Sequence, residues 1–280
     1  MFEQGMTRRN FLTGAALAGV AAAGAGLAGC GTSAETNAGT AGEAMKGGNA
    51  WETVPEPITD IASTVETDIL VIGAGLSGCA CACAAAENGG KVTVVEKTST
   101  WNGRGAIKSR YMDDQGIVVD KVNAKQHWIA QCASRANEDL ISKFFADSEE
   151  ASNWLLDKVE KHGCAVIVGA FYSHDDVYAE QPGYHMAMAS KDGDLTSTGF
   201  VGAVAAGAEF VFDSPAVQLI KDESGKVAGC ICQAADGNVR YNASKGVVLA
   251  TGDIGGDADM VKAYAPIAAE YGQPRSQYTP

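Results

Sequence analysis

The sequence contains no Cys-x-x-Cys pair, although it has eight cysteines in 280 residues. The usual spacing of zinc ligands and the Cys-x-x-Cys-His motif that attaches c-type haem are therefore both absent. The clustered residues Cys79, Cys81 and Cys83 are interpreted as small apolar side chains that pack against a sheet. The electron donor for any redox chemistry is expected to be another molecule or another domain.

Positive charge is also scarce. Lys and Arg number 21 against 34 Asp and Glu, which gives a formal net charge of -13. A chain of this sign repels nucleic acid and anionic lipid, and no Lys/Arg-rich stripe offsets the repulsion. Nucleic-acid binding is therefore excluded as a function, and attachment to a membrane is expected through a lipid anchor only. With 46% hydrophobic residues, the chain can build one large domain or a domain and a fragment.

The first thirty residues begin with the basic stretch Thr7-Arg8-Arg9-Asn10-Phe11-Leu12 and end with Leu27-Ala28-Gly29-Cys30. Between them lies a run rich in Ala and Gly, which gains little from burial in lipid and argues against a membrane-spanning helix. Residues 1–30 resemble a twin-arginine lipoprotein signal. The resemblance implies that Cys30 is the lipidated first residue of the mature protein. It also implies an exported protein on the outer face of the cytoplasmic membrane, at the cell surface or in the periplasm.

Residues 31–65 are predicted to form a flexible linker. They are rich in Gly, Ala, Ser, Thr and Asn and contain Pro55 and Pro57. Such a composition cannot bury enough apolar surface to order the chain. The remaining residues, 66–280, are predicted to form the folded domain.

A strand, a glycine turn and a helix are predicted at the start of this domain. The apolar run Asp68–Ile72 has the length of a buried strand, and an Ala/Cys-rich helical stretch follows the turn. In the turn, Gly73 allows the tight reversal, Gly75 lets a pyrophosphate approach the backbone, and Gly78 allows close packing of helix on strand. The complete turn reads Gly73-Ala74-Gly75-Leu76-Ser77-Gly78.

A second strand completes a βαβ unit. The segment Lys91-Val92-Thr93-Val94-Val95 is predicted to be this strand. It is followed by Glu96, an acidic residue that can hydrogen-bond both hydroxyls of an adenosine ribose. A glycine motif alone is weak, but here the preceding strand, the following helix, the second strand and the acidic residue all occur together. The unit therefore predicts a dinucleotide-binding site.

A second nucleotide motif lies about 150 residues further on. The segment from Ser244 to Gly252 is predicted to be a short buried strand that ends in Ala250-Thr251-Gly252 and is followed by Asp253. The order of GAGLSG, VVEK and VVLATGD resembles the flavoproteins of the fumarate reductase and succinate dehydrogenase superfamily over roughly residues 66–265. The resemblance implies FAD as cofactor. It also implies a Rossmann-like α/β fold, in which a parallel sheet carries helices and a β-meander.

The resemblance implies a set of FAD contacts. The glycine turn would hold the pyrophosphate, Glu96 the adenosine ribose and the backbone of Val217 the adenine edge, while Ala250 to Gly252 would close the adenosine side. The loop at residues 102–106 matches the family loop that passes over the flavin, but Arg104 interrupts its glycines. The Arg104 side chain is interpreted either as a solvated or phosphate-facing arginine or as a flavin-tuning one. The complete set comprises Gly73, Ala74, Gly75, Leu76, Ser77, Gly78, Glu96, Lys97, Gly103, Arg104, Gly105, Ala106, Val217, Ala250, Thr251 and Gly252.

The mode of flavin attachment follows from a missing histidine. Family members that bind FAD covalently use a His in the loop after the ribose-binding acid, and this chain has no His before His127. The resemblance therefore implies noncovalent FAD. His185, in a polar loop, is interpreted as a histidine without chemistry, with a role near the flavin or substrate as the alternative.

Further elements are predicted in the rest of the domain. Apolar residues recur at helical spacing from about Asp120 to His162 and are expected to face a core, among them Leu140, Ile141, Phe144 and Phe145. Residues 164–169 and 208–212 are predicted strands. Residues 226–241 are predicted to form a hairpin around Asp236-Gly237.

The resemblance implies an FAD-dependent oxidoreductase that reduces a small unsaturated organic acid such as fumarate. Electrons would come from a separate donor such as a membrane cytochrome. The family's catalytic residues lie beyond the matched region, together with its capping domain and C-terminal segment, so no catalytic residue is assigned. A truncated, noncatalytic FAD-binding fragment is the alternative. An NAD-dependent Rossmann enzyme conflicts with the second motif, and a ligand-binding surface lipoprotein leaves both motifs unexplained.

Overall fold

The structure, a computed structural model, describes residues 49–101, 109–110, 114, 121–132, 136–162, 165–169, 186–191 and 194–270. The chain divides into two units, Met1–Val54 and Pro55–Pro280. In the first unit, the described residues include one turn of 3₁₀ helix at Ala50–Glu52. The predicted signal, including Cys30, lies outside the described residues.

The described part of the second unit contains nine strands and six helices. The strands are β1 (Ile61–Ile72), β2 (Val92–Val95), β3 (Ala165–Gly169), β4 (Met186–Lys191), β5 (Asp194–Ser197), β6 (Glu209–Val211), β7 (Ala216–Lys221), β8 (Val227–Ala234) and β9 (Gly237–Leu249). The helices are α1 (Leu76–Glu87), α2 (Lys121–Gln131), α3 (Glu138–Lys161), α4 (Thr198–Ala205), α5 (Ala258–Tyr264) and α6 (Pro266–Glu270).

The main sheet has six strands in the order β6-β2-β1-β9-β8-β7. Strands β6, β2, β1 and β9 run parallel, whereas β9, β8 and β7 form an antiparallel meander. Helix α1 connects β1 to the parallel strand β2, which is the βαβ unit expected from the glycine turn. This arrangement confirms the predicted Rossmann-like α/β fold with a β-meander. Strands β3, β4 and β5 form a separate antiparallel sheet.

Apolar residues of the parallel strands fill a core on each face of the sheet. Val71 and neighbouring residues of β2 pack with Cys79 and Cys83 of α1 on one face. On the other face, Leu70 and Ile72 cluster with buried residues of the meander, namely Cys230, Cys232 and Tyr241. Because side chains alternate along a strand, one short apolar run serves both cores. The parallel strands therefore lie between the helices and the meander.

Strand β1 begins at Ile61, earlier than the predicted strand at Asp68–Ile72 and inside the span predicted as linker. Its first half pairs in parallel with β9, from Ile61 opposite Asn238 to Thr67 opposite Ala243. These residues are too polar to signal a buried strand, but they gain backbone hydrogen bonds from the neighbouring strand. The prediction of a linker up to residue 65 was wrong for Ile61–Val65.

The predicted hairpin and the predicted Ala-Thr-Gly strand share a single strand, β9. The hairpin turns at Gly237, whose φ of +117° suits glycine, and β8 pairs antiparallel with the first half of β9. The same strand then continues beside β1 as far as Leu249. The hairpin prediction is confirmed, but the strand between the two motifs is continuous.

The predicted helical region separates into α2 and α3. Asn137 caps α3, because its side chain accepts hydrogen bonds from the backbone N–H groups of Asp139 and Leu140. The prediction that Leu140 and Phe144 face a core was wrong, since these residues are 67% and 41% exposed. Helical spacing identifies an apolar stripe but does not specify how much of it finds a partner. No helix among the described residues is long and apolar enough to cross a membrane.

Candidate functional site

The glycine turn between β1 and α1 is shaped by two close backbone approaches. Gly73 has a φ of +106°, and its N–H donates a hydrogen bond of 2.8 Å to the carbonyl of Val95. A Cβ atom on Gly73 would lie 2.3 Å from the carbonyl oxygen of Ala250, and one on Gly78 would lie 2.0 Å from the carbonyl oxygen of Gly73. Neither position has room for a side chain. The predicted roles of these two glycines thus match the space around them.

Helix α1 begins within this glycine motif, and no side chain caps its N-terminus. Gly75 is the N-cap residue, in an extended conformation, and the helix starts at Leu76. The first N–H groups of a helix lack intrahelical partners, and the helix dipole adds partial positive charge there. A pyrophosphate fits these donors, and the absence of a side chain at Gly75 leaves its approach open. Ala74 is fully buried behind the turn.

Glu96 lies at the carboxyl end of β2 and is only 9% exposed. Its Oε2 atom accepts a hydrogen bond of 2.7 Å from the N–H of Ala74. Its Oε1 atom accepts from both the N–H and the hydroxyl of Thr98, each at 2.9 Å. The carboxylate is therefore fixed beside the glycine turn, as a ribose-binding acid requires. The sequence motif predicts Glu96 as the ribose-binding acid, but it does not predict the three donors to its carboxylate.

The chain segment after β6 returns to the same end of β2. Ser214 donates its N–H to the carbonyl of Glu96, and Asp213 donates its N–H to the carbonyl of Thr98, both at 2.9 Å. Asp213 has a φ of +51°, a left-handed conformation that Asp tolerates better than most residues. These contacts bring the start of the meander close to Glu96. No motif in the sequence indicates these contacts.

Val217 lies on β7, three residues beyond Ser214. The pairing of β7 with β8 shifts between Ala216 and Gln218, so Val217 has no Cα partner on β8. Such a bulge re-aims the backbone locally. The contact of Val217 with adenine stays a prediction.

The end of β9 closes the other side of the turn. The N–H of Ala250 donates a hydrogen bond of 2.8 Å to the carbonyl of Ile72, and the Ala250 carbonyl faces Gly73. Thr251 and Gly252 follow in an exposed loop, and Gly252 has a φ of +80°. The structure therefore brings Ala250 to the glycine turn across the sheet. Lys97 is exposed on the loop after Glu96.

The clustered cysteines of α1 are poor candidates for redox chemistry. Burial raises the pKa of the Cys79 thiol to about 12, and the negative charge of Glu96 adds to the rise. Burial likewise raises the pKa of Cys83 to about 11. A protonated thiol is a weak nucleophile and metal ligand. Within the described part of the chain, no group of three or more His, Cys, Asp or Glu residues is arranged to hold a metal ion.

Some predicted residues lie outside the described residues. They include the loop over the flavin, with Gly103, Arg104, Gly105 and Ala106, and also His185. The roles proposed for them stay predictions.

The described site has the parts of a dinucleotide-binding site: a side-chain-free turn, an open helix N-terminus and a fixed carboxylate. A family model described as an FAD binding domain matches residues 68–274 of the chain. The chain belongs to this family of FAD-binding domains. The match confirms the FAD cofactor and sets aside the NAD-dependent alternative.

Two curated relatives are named as a reductase and an oxidoreductase. Digoxin reductase of Eggerthella lenta is 29% identical over 278 residues, which cover 93% of this chain and 48% of that protein. NADH:fumarate oxidoreductase of Klebsiella pneumoniae is 25% identical over 207 residues, which cover 71% of this chain and 22% of that protein. The chain thus spans about half the length, or less, of these curated relatives.

Solved structures show the same fold. The open conformation of a flavocytochrome c3 fumarate reductase superposes with a TM-score of 0.52 at 19% identity, over 75% of this chain and 37% of that one. The predicted resemblance to the fumarate reductase superfamily is confirmed. At this level of identity, the superposition shows the shared fold.

Proposed function

We propose that this chain binds FAD for the reduction of a small unsaturated organic acid such as fumarate. The observation that carries the cofactor assignment is the turn in which neither Gly73 nor Gly78 has room for a Cβ atom, next to the fixed carboxylate of Glu96. The substrate class is supported by the relative that acts on fumarate. Bound FAD would supply the isoalloxazine ring that accepts and passes on a hydride.

The described residues would hold the adenosine half of the cofactor. The N–H groups at the start of α1 would bind the pyrophosphate, and Glu96 would accept hydrogen bonds from the ribose. Val217 would contact adenine, and Ala250 to Gly252 would border the site. The loop at Gly103–Ala106 is proposed to lie against the flavin ring.

Flavin binding is tested on the purified full chain by its visible absorption spectrum and by identifying any flavin released on heating. We expect FAD in the wild type and a large loss of FAD in Gly75→Ala, because the new methyl group occupies the approach to the pyrophosphate. Gly246→Ala is the matched control, since a Cβ at Gly246 meets nothing within 4 Å. A wild-type chain that stays colourless with added FAD contradicts the proposal.

Noncovalent attachment is a separate proposal, supported by the absence of histidine before His127. We expect all of the flavin to remain in the supernatant after acid precipitation of the protein. Flavin that stays in the pellet contradicts it.

Turnover is tested separately from flavin binding, because the chain spans only part of the length of its relatives. Anaerobic assays with a reduced viologen as electron donor and fumarate as acceptor would show succinate formation if the chain is catalytic. Bound FAD without turnover of fumarate or of other unsaturated acids favours the second candidate, a noncatalytic FAD-binding fragment.

Export and lipid anchoring are proposed from Arg8, Arg9 and Cys30, and they would place the protein beside a membrane electron donor such as a cytochrome. Fatty-acid labelling should be lost in Cys30→Ser, and export should be lost when both arginines are replaced by lysine. Unchanged labelling in Cys30→Ser contradicts the anchor.

A further inference from the structure

The carboxylate of Glu96 has fewer free hydrogen-bond acceptor positions than the two hydroxyls of a ribose need. A carboxylate offers about four lone-pair positions, two on each oxygen. The N–H of Ala74 takes one position on Oε2, and Thr98 takes both positions on Oε1 through its N–H and its hydroxyl. One acceptor position remains, on Oε2. The two hydroxyls of a ribose therefore need a second acceptor nearby.

The hydroxyl of Thr98 has the chemistry of that second acceptor. Its oxygen lies 2.9 Å from Oε1 of Glu96 and 2.8 Å from the carbonyl oxygen of Thr100, and its single proton serves one of them at a time. The charged carboxylate is the stronger acceptor. Once the proton is donated to Glu96, the lone pairs of the hydroxyl oxygen can accept a hydrogen bond.

Thr98 is also held in place by its backbone. Its N–H donates to Oε1 of Glu96, and its carbonyl accepts from the N–H of Asp213 at 2.9 Å. The residue is only partly buried, so its side chain is reachable from solvent. An acceptor fixed in this way loses little conformational freedom when a ligand arrives.

We propose that Thr98 is a second ribose-binding residue. One hydroxyl of the adenosine ribose donates to the open position on Oε2 of Glu96. The other donates to Oγ1 of Thr98, whose own proton is donated to Oε1. Such a chain of hydrogen bonds ending on a charge is strengthened by mutual polarisation. The inference rests on the proposed function, because it concerns the same FAD site.

The test is the dissociation constant of FAD for the full chain, measured by flavin fluorescence titration of flavin-free protein. Thr98→Val removes the hydroxyl. We expect it to raise the dissociation constant of FAD about tenfold, because one hydrogen bond linked to a charged group is lost. Thr98→Ser keeps the hydroxyl and should stay within about threefold of the wild type. Ser99→Ala is the matched control on the same loop, because it also removes a hydroxyl, and Ser99 is exposed.

FAD analogues that lack the 2′- or the 3′-hydroxyl of the adenosine ribose separate ribose binding from a structural role. For the analogue that lacks the hydroxyl bound by Thr98, the affinity of Thr98→Val should fall no more than that of the control variant, because that hydrogen bond is already missing. An equal loss of affinity for FAD and for both analogues, or wild-type affinity in Thr98→Val, overturns the proposal for Thr98 alone. A wild-type chain that binds no FAD overturns the proposed function as well.

Discussion

Gly78→Ala tests whether α1 is held against the turn as closely as the structure shows. The new Cβ atom would lie 2.0 Å from the carbonyl oxygen of Gly73 and 3.2 Å from the Cβ of Ala250. An ordinary contact needs well over 3 Å between such atoms, so either the helix or the turn has to move by about 1 Å or more.

Both sides of this contact resist such a movement. The N–H of Gly73 is bonded to Val95, and the N–H of Ala250 is bonded to Ile72, each at 2.8 Å. Forcing extra volume into a packed site costs about 1–3 kcal/mol or more. Alanine recovers at most about 1 kcal/mol through its better helix propensity. Because a Cβ 2.0 Å from a backbone carbonyl oxygen is a severe overlap, the cost lies at the upper end of this range, and we expect a net loss of about 2 kcal/mol in the free energy of unfolding.

Urea unfolding followed by circular dichroism measures this loss. Gly246→Ala is the matched control, because its Cβ meets nothing within 4 Å, and its unfolding free energy should change by no more than about 0.5 kcal/mol. FAD affinity should also fall in Gly78→Ala, since the N-terminus of α1 is proposed to bind the pyrophosphate and would be displaced. If Gly78→Ala is as stable as the control, the close approach of α1 to the turn is refuted.

Three further predictions concern the rest of the domain. Thr93→Val should stabilise the protein by about 1 kcal/mol in urea unfolding, because the buried Thr93 hydroxyl has no hydrogen-bond partner within the described residues. Thr67→Val should destabilise it by a similar amount, because the Thr67 hydroxyl donates a 3.0 Å hydrogen bond to the carbonyl of Lys91. Phe145→Ala should cost about 3 kcal/mol and Phe144→Ala clearly less, because Phe145 is buried and Phe144 is 41% exposed; equal losses would contradict the burial. The pKa of Asp68 is lowered to about 2 by hydrogen bonds, of which the largest contribution comes from the ammonium of Lys245, followed by the N–H of Lys91 and the hydroxyl of Ser244. The ionised carboxylate therefore stabilises the fold above the unfolded-state pKa near 4, and this contribution is lost as the pH falls through about 2. Unfolding free energies measured between pH 5 and pH 2 should therefore fall less steeply in Asp68→Asn than in the wild type, and parallel curves would contradict the prediction.

The glycine turn was predictable because its chemistry is local. Residues 73–78 follow an apolar run and precede a helix, and each glycine has a steric reason that the sequence alone supplies. Glu96 was predictable for the same reason, as the acidic residue that ends the second strand. The donors on its carboxylate were not, because Thr98 and Ala74 are brought to it by the way two loops fold.

The length of β1 and the exposure of α3 were not predictable for a different physical reason. The residues Ile61–Thr67 are polar enough for a linker, and they become a strand only because β9 supplies backbone partners. Leu140 and Phe144 have helical spacing, but burial depends on a neighbouring surface that the spacing does not specify. In both cases the deciding contact comes from elsewhere in the fold.

Strand β9 shows how such distant contacts determine the site itself. It begins at the Gly237 hairpin and pairs with β1 as far as Leu249, with register shifts between Ile61 and Ser63 and between Thr67 and Ile69 of β1, and Ala250 follows directly. In the paired stretch around Tyr241, a slip of one residue would expose Tyr241 and bury its neighbours Arg240 and Asn242, so the register there is strongly specified. The last paired stretch, from Ile69 opposite Gly246 to Ile72 opposite Leu249, places the carbonyl of Ala250 against Gly73. The meander therefore contributes to the nucleotide site through the position of β9, at a distance in sequence that no local motif reveals.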